Sequence, residues 1–145
     1  MPRRLFIKGD PKPAITITRR SLGKQKLVYV ARANRQFRYP FRRSAIVYIG
    51  TTTSGARRVA ASAAGKAKSL LTHHGVKQLD FYVITCKPRR NVQTWRKLES
   101  GLLLTFRHWY GAVPIGNVAG KRRSFHDELK YFRESRLRAI LNRYE

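Results

Sequence analysis

Cysteine is all but absent from this chain. Cys86 stands alone, so no disulfide can close within the chain and no thiolate-built zinc site can form. Such usage suits a reducing compartment, and the expected location is intracellular, cytoplasmic or nucleoid-associated. Acidic residues are nearly as scarce: 7 Asp and Glu stand against 32 Lys and Arg, a formal net charge of +25. A folded domain this cationic repels itself and calls for a polyanion, which excludes a neutral partner. No apolar run approaches the ~18 residues of a membrane span. Leu5-Phe6-Ile7, behind Arg3 and Arg4, is too short for a signal-peptide core. The cations run along the whole chain instead of one amphipathic helix, which argues against a membrane-surface protein. There is no internal repeat and no low-complexity segment.

Apolar material, by contrast, is sufficient. Hydrophobic residues make up 42% of the 145, with seven Phe, seven Tyr and two Trp, enough for one domain with a single core. Residues 1–25 read as a basic extension: Gly9-Asp10 with Pro11 and Pro13 marks a loop, and Ala14 to Thr18 has period-two β-branched character. Lys26 to Ala33, with LVYVA at its heart, reads as a strand, and Ser44 to Gly50 as a second. Between them Asn34 to Arg43, basic and aromatic with Pro40, reads as a loop or hairpin excursion, so the two strands pair antiparallel. Thr51-Thr52-Thr53-Ser54 offers N-caps, and the alanine-rich run that follows predicts a helix from about Ser54 to His74, stopped by Gly75. Gln78 to Cys86 reads as a third strand, ended by Pro88. Asn91 is expected to cap a second helix from Val92 to about Tyr110, stopped by Gly111. A Pro114/Gly116 loop leads to a last helix from about Phe125 to Tyr144, whose Leu129, Phe132, Leu137, Ile140 and Leu141 form a stripe that docks on the domain. The order β-β-α-β-α with an added helix predicts a small α/β (α+β) domain on a mainly antiparallel three-stranded sheet.

Glu99 is the most informative residue of the second helix. It is the only carboxylate between Asp80 and Asp127, and its neighbours at i−4, i+3 and i+4 are Trp95, Leu102 and Leu103. It therefore projects from or beside the apolar stripe. An ionised carboxylate placed there has to be paired or bind a metal. By pattern alone the ion pair is the simpler reading, with an arginine such as Arg96 as partner.

Tyr48-Ile49-Gly50 closes a strand and is followed by a Thr/Ser turn and a helix bearing Arg58, eight residues after the glycine. Glu99 then lies in WRKLESGLLLTF and Asn117 in PIGN. In this order, from about Lys26 to Asn117, the chain resembles the GIY-YIG nuclease family. Leu27-Val28-Tyr29 takes the place of the family's first tripeptide, with Leu27 where its glycine would stand, and Ser62 stands where the family often has His or Tyr. The resemblance implies a nuclease core over 26–120 and a basic C-terminal helix over 121–145 packed on or beside it. It implies a metal-dependent endonuclease that hydrolyses nucleic-acid phosphodiesters, DNA favoured over RNA. One Mg²⁺ or Mn²⁺ would be held by Glu99, an ion that needs few protein ligands. Arg58 would clamp phosphate oxygens, and Tyr29 and Tyr48 would position or deprotonate the attacking water. Gly50 and Asn117 would be structural. A phenol titrates near ~10, so cations such as Arg57 and Arg58 are expected to lower it. Cutting two strands with one site per chain would call for a dimer on a duplex.

Plainer readings stand beside these. Tyr29 and Tyr48 fit as strand residues with satisfied hydroxyls. Arg58, with Arg57 as its competitor, fits as a phosphate contact without catalytic duty, and Asn117 as a turn residue after Gly116. A catalytically silent or non-enzymatic basic nucleic-acid-binding protein, architectural or ribosome-type, is the alternative that charge alone satisfies. His73 and His74 are adjacent and cannot both face one metal from a helix, and His108 and His126 are scattered. No Lys-Ser/Thr pair follows Gly50 to Gly55, which argues against a Walker-type NTPase. Arg35, Arg38, Arg42 and Arg43 alternate with Phe37, Tyr39 and Phe41. They fit a backbone grip with rings stacked on bases equally well as a solvated loop with its aromatics on the core. Lys121, Arg122 and Arg123 add to the expected nucleic-acid-binding surface, so binding should depend steeply on salt.

Overall fold

The run Leu27 to Ala31 is apolar at every position because its strand is covered on both faces. The computed structural model describes residues 7–13, 26–53, 55–73, 75–118 and 120–145, with the backbone alone at 56–58, 60, 62 and 63. β1 (Leu27–Arg38) is the middle strand of a three-stranded antiparallel sheet, between β2 (Arg43–Thr52) and β3 (Leu79–Ile84). Helix α1 (Gly55–Leu70) covers one face, where Leu27 and Tyr29 meet Val59 and where Ala31, Ala33 and Val47 meet Leu70. Helix α2 (Thr94–Tyr110) covers the other, packing Leu98, Leu102, Leu103 and Phe106 against Val28, Val30, Ile46 and Ile49. The short α3 (Glu128–Tyr131) and α4 (Glu134–Tyr144) close over α2 through Leu137 and Leu141. Gly101 permits that approach, since a methyl group there would lie 3.2 Å from Leu137 Cδ1.

The expected class and the β-β-α-β-α order with a C-terminal helix are observed, and the boundaries move for local reasons. The excursion between the first two strands is strand on both arms, closed by a turn in which the Tyr39 N–H donates to the Arg42 carbonyl at 2.9 Å. Pro40 sits in that turn, where its missing N–H breaks no ladder bond. α1 ends at Leu70, and Gly75, at φ +81°, serves the loop beyond it instead of capping it. Asn91 does not cap α2: it takes φ +58° in a turn, Arg89 bridges Val92, and the helix starts at Thr94. Gly111 does stop α2, at φ +84° with its N–H on the Arg107 carbonyl. The expected last helix is divided because Phe132 is extended (φ −130°, ψ 125°) and packs against the core. Cys86 lies past the end of β3, half-buried against the core. The period-two stretch Ala14 to Thr18, and Ser54 and His74 at the ends expected for α1, lie outside the described residues.

One irregularity in β2 matters for function. Ala31 pairs with Tyr48 but Arg32 pairs with Ile46, so Val47 is an extra residue, a β-bulge. A one-residue insertion turns the following side chains to the other face. Ile46 therefore faces α2, whereas Tyr48 and Gly50 face α1 beside Tyr29. β2 is an edge strand, and its outer side receives the loop after α2. The Gly116 N–H donates to the Val47 carbonyl at 2.7 Å. The Asn117 amide spans Ile49 like a short strand, accepting from its N–H at 2.9 Å and donating to its carbonyl at 2.8 Å. Replacing Asn117 by alanine would strand both buried backbone groups. It is expected to lower stability by about 2–6 kcal/mol, at about 1–3 kcal/mol per orphaned group, measured by denaturant unfolding.

Candidate active site

Two tyrosines converge on one glycine. Tyr29 stands opposite Gly50 across the β1–β2 ladder, and Tyr48 is two residues away on the same face. Their rings lie 5.8 Å apart. A methyl group on Gly50 would fall 2.6 Å from Tyr48 Cε1 and 2.7 Å from Tyr29 Cζ and its hydroxyl oxygen. Only glycine leaves room for both rings, which accounts for the glycine after Tyr-Ile without reference to turn formation.

Tyr29 is 2% exposed and Tyr48 half-buried. Burial, the nearby Tyr29 phenol and then the Glu99 carboxylate push the Tyr48 phenol up to about 12. This reverses the lowering expected from cationic neighbours, because desolvation of the phenolate outweighs them. The nearest described cation is Lys66, whose ammonium lies 4.3 Å from the centre of the Tyr48 ring and donates to the Gly116 carbonyl at 2.9 Å. Tyr48 is therefore a hydroxyl at neutral pH, suited to orienting a water molecule and not to removing its proton. Ultraviolet titration of the phenols should show Tyr48 ionising near pH 12, a step removed by Tyr48→Phe. A raised folded-state value also means that its contribution to stability is complete below the ordinary phenol range and is lost as pH climbs through about 12.

Glu99 lines an open groove of about 460 Å³ at this end of the sheet, with Thr51 from the end of β2, Arg96 and Ser100 from α2, and Arg123 and Glu128 from the C-terminal segment. Its side chain is 15% exposed and lies 3.7 Å from the Arg123 guanidinium. The partner is thus Arg123 more than the expected Arg96, although both guanidinium groups favour its charged form. Burial nevertheless dominates and raises its carboxyl above the ordinary carboxylate range. No hydrogen bond from the described residues reaches it. Glu128, in the same groove, is committed elsewhere: it accepts from the Ser100 hydroxyl at 3.0 Å and the His126 N–H at 2.6 Å. Burial pushes Glu128 up, but those bonds and its own backbone N–H together hold it below its usual range.

Arg96, Lys97 and Arg123 line the groove beside Glu99. Among the described residues no group of three or more His, Cys, Asp or Glu could hold a metal ion. Any cation here would rest on Glu99, water and substrate oxygens, a set that Mg²⁺ accepts.

The expected site residues thus fall into two groups. Tyr29, Tyr48, Gly50, Asn117, Glu99 and Arg123 belong to one end of the molecule. Lys121 and Arg122 are exposed beside Arg123. Arg57 and Arg58 lie in the first turn of α1, two turns before Lys66; their side chains are outside the described residues. Arg35, Arg38, Arg42 and Arg43 lie toward or at the other end of the hairpin. Arg43 is seven residues from Gly50, roughly 20 Å along the strand. Arg42 stacks 4.7 Å over Trp109 and Arg35 4.5 Å over Phe37, while Phe37 and Tyr39 pack on the core. Sequence reasoning missed Lys66, Ser100 and Glu128. The i+8 spacing from Arg58 was a usable signal for Lys66, whereas Glu128 reaches the groove only through the fold of the C-terminal segment.

No family model, no curated protein and no solved structure matches this chain in comparisons with known proteins. Among the described residues no helix is long and apolar enough to cross a membrane.

Proposed function

We propose that this chain is a metal-dependent endonuclease of GIY-YIG type that hydrolyses nucleic-acid phosphodiesters, with DNA the favoured substrate. The observation that carries the reading is the pair Tyr29–Tyr48 wrapped on Gly50, with the desolvated carboxylate of Glu99 close enough to raise the Tyr48 phenol. Hydrolysis needs a placed water and positive charge where the phosphate gains negative charge. A divalent cation bound at Glu99 would supply part of that charge beside the scissile phosphate. Tyr48 holds its proton and orients the water through its hydroxyl, and Tyr29 braces the Tyr48 ring. Arg96, Arg123 and Arg58 draw in the phosphate. Asn117 keeps the Tyr48–Gly50 segment in place by its bonds to Ile49.

The test is cleavage of labelled single-stranded, duplex and branched DNA and RNA with Mg²⁺, Mn²⁺ or EDTA, wild type beside Glu99→Ala. Metal-dependent cutting that disappears in the variant supports the reading and names the substrate. A second reading has one observation in its favour: Arg123 occupies the approach to Glu99, as in a binding protein that needs no cation there. Tight, salt-sensitive binding by both proteins without cutting by either would select that reading.

A further inference from the structure

The tip of the hairpin carries features that the groove at Glu99 does not use. Phe41 is 72% exposed, the most exposed aromatic side chain among the described residues. Its backbone is anchored. Its N–H donates to the Tyr110 carbonyl at 3.1 Å, and one edge of its ring rests where a methyl group on Gly111 would come within 3.0 Å. Tyr39 anchors the same turn from beneath, donating its hydroxyl to the Ile46 carbonyl at 2.7 Å. In the same hairpin Arg38 and Arg43 stand directly opposite one another as the last pair of the β1–β2 ladder, both exposed. Like charges in that position repel. Among the described residues no carboxylate forms an ion pair with either one, whereas Arg42 has Glu145 at 3.9 Å.

An exposed apolar ring within three residues of two mutually repelling guanidinium groups in one hairpin tip matches a nucleotide. The ring takes a base face and the guanidinium pair takes the phosphate, whose charge relieves the repulsion. We infer that the hairpin tip is a second nucleic-acid contact, one that stacks an unpaired base on Phe41 and seats its phosphate between Arg38 and Arg43. A base inside a duplex is stacked on its neighbours and cannot offer its face, so the fitting ligand is single-stranded or frayed. The tip lies roughly 20 Å from the groove, which corresponds to about six nucleotides at 3.4 Å per step. This spacing rests on the nuclease reading of the groove. The preferred substrate is then a duplex with an unpaired tail that begins about six nucleotides from the cut.

The experiment measures binding in the Glu99→Gln background, where cutting cannot interfere. A duplex with a single-stranded tail carrying 2-aminopurine is compared with the blunt duplex. The chain with Phe41 should bind the tailed duplex more tightly and change the 2-aminopurine fluorescence. Phe41→Ala should weaken binding roughly tenfold or more on the tailed duplex and little on the blunt one, while Phe41→Trp keeps both properties. Replacing Arg38 and Arg43 by alanine should lower the slope of log affinity against log salt by about 0.7 for each single-strand phosphate no longer neutralised. Phe41 is exposed, so its variants should melt with the parent, which separates removal of the stacking ring from damage to the fold. Equal tail preference in Phe41→Ala and its parent would overturn the inference. So would unchanged nucleic-acid binding together with abolished binding to phosphatidylserine vesicles. Cleavage plays no part in these readouts, so a groove without nuclease activity leaves the platform standing, and a failed platform leaves the nuclease reading intact.

Discussion

Glu99→Gln is expected to leave a folded protein that binds nucleic acid and no longer cuts it. The loss should be about 10²–10³-fold in rate or greater, the scale seen when one electrostatic contact to a transition state is removed. Glutamine keeps the size of the side chain and its place in the groove but removes the charge that would hold a cation. Binding should be unchanged or tighter, because a negative charge beside the phosphate path disappears. The stability of the variant makes the test sharper. Burial raises the Glu99 carboxyl, so the folded state prefers it protonated. For a raised value the stability contribution is complete at pH below the unfolded carboxylate range and is lost as pH rises through the folded value. At neutral pH that contribution is diminished, and Glu99→Gln should melt at the same temperature or higher. The difference should vanish on acidification below the carboxylate range. A lower melting temperature in Glu99→Gln at neutral pH would mark Glu99 as a structural partner of Arg123 and count against a cation site.

Gly50→Ala is expected to damage both fold and activity. The added methyl group would lie within 2.7 Å of both tyrosine rings, and Tyr29 is almost wholly buried, so neither ring has free space to enter. Overpacking of this kind costs about 1–3 kcal/mol. In a chain of this length that is a fall in melting temperature of about 3–10 °C. Near-ultraviolet circular dichroism should change with it, since the Tyr29–Tyr48 pair must separate. Cleavage should fall more than the residual folded fraction explains, because Tyr48 would be displaced from its place beside Tyr29. The cause can be isolated with Tyr29→Leu, which opens space beside Gly50. In that background the cost of Gly50→Ala should shrink, a coupling that a double-mutant cycle reads directly. Additive costs would mean that the rings do not constrain the glycine.

Much of the architecture was legible from residue order. LVYVA and SAIVYIG are apolar runs with turn residues at their ends, and the alanines from 56 to 67 have one good use, a helix. The ends of elements were harder to read. Asn91 is a frequent helix cap by residue type, yet the bridge from Arg89 to Val92 claims that stretch first. Phe132 continues a helical stripe by spacing, but its packing against the core requires extended backbone, and the helix breaks. A local turn in the first case and a tertiary contact in the second outweighed a preference worth about 1 kcal/mol or less. The basic excursion at 34–43 left two uses open. The fold divides its aromatics between them, with Phe37 and Tyr39 on the core and Phe41 in solvent.

By itself the sequence determined the element order, the excess of positive charge and the isolation of Glu99 as a carboxylate on an apolar helix stripe. These follow from composition and period, which are local. Only the tertiary structure decided which of the tyrosines meet and which cations they meet. The Val47 bulge is invisible in a run where every residue is apolar, because such a run carries no phase to mark an extra residue. Yet that bulge turns Tyr48 to the side of Tyr29 and Gly50. The partner of Glu99 is likewise a product of the fold: Arg123, 24 residues away, and not Arg96 on the same helix. The direction of the Tyr48 shift also belongs to the fold, since positive charge is read along the chain but desolvation is set by what packs around the ring.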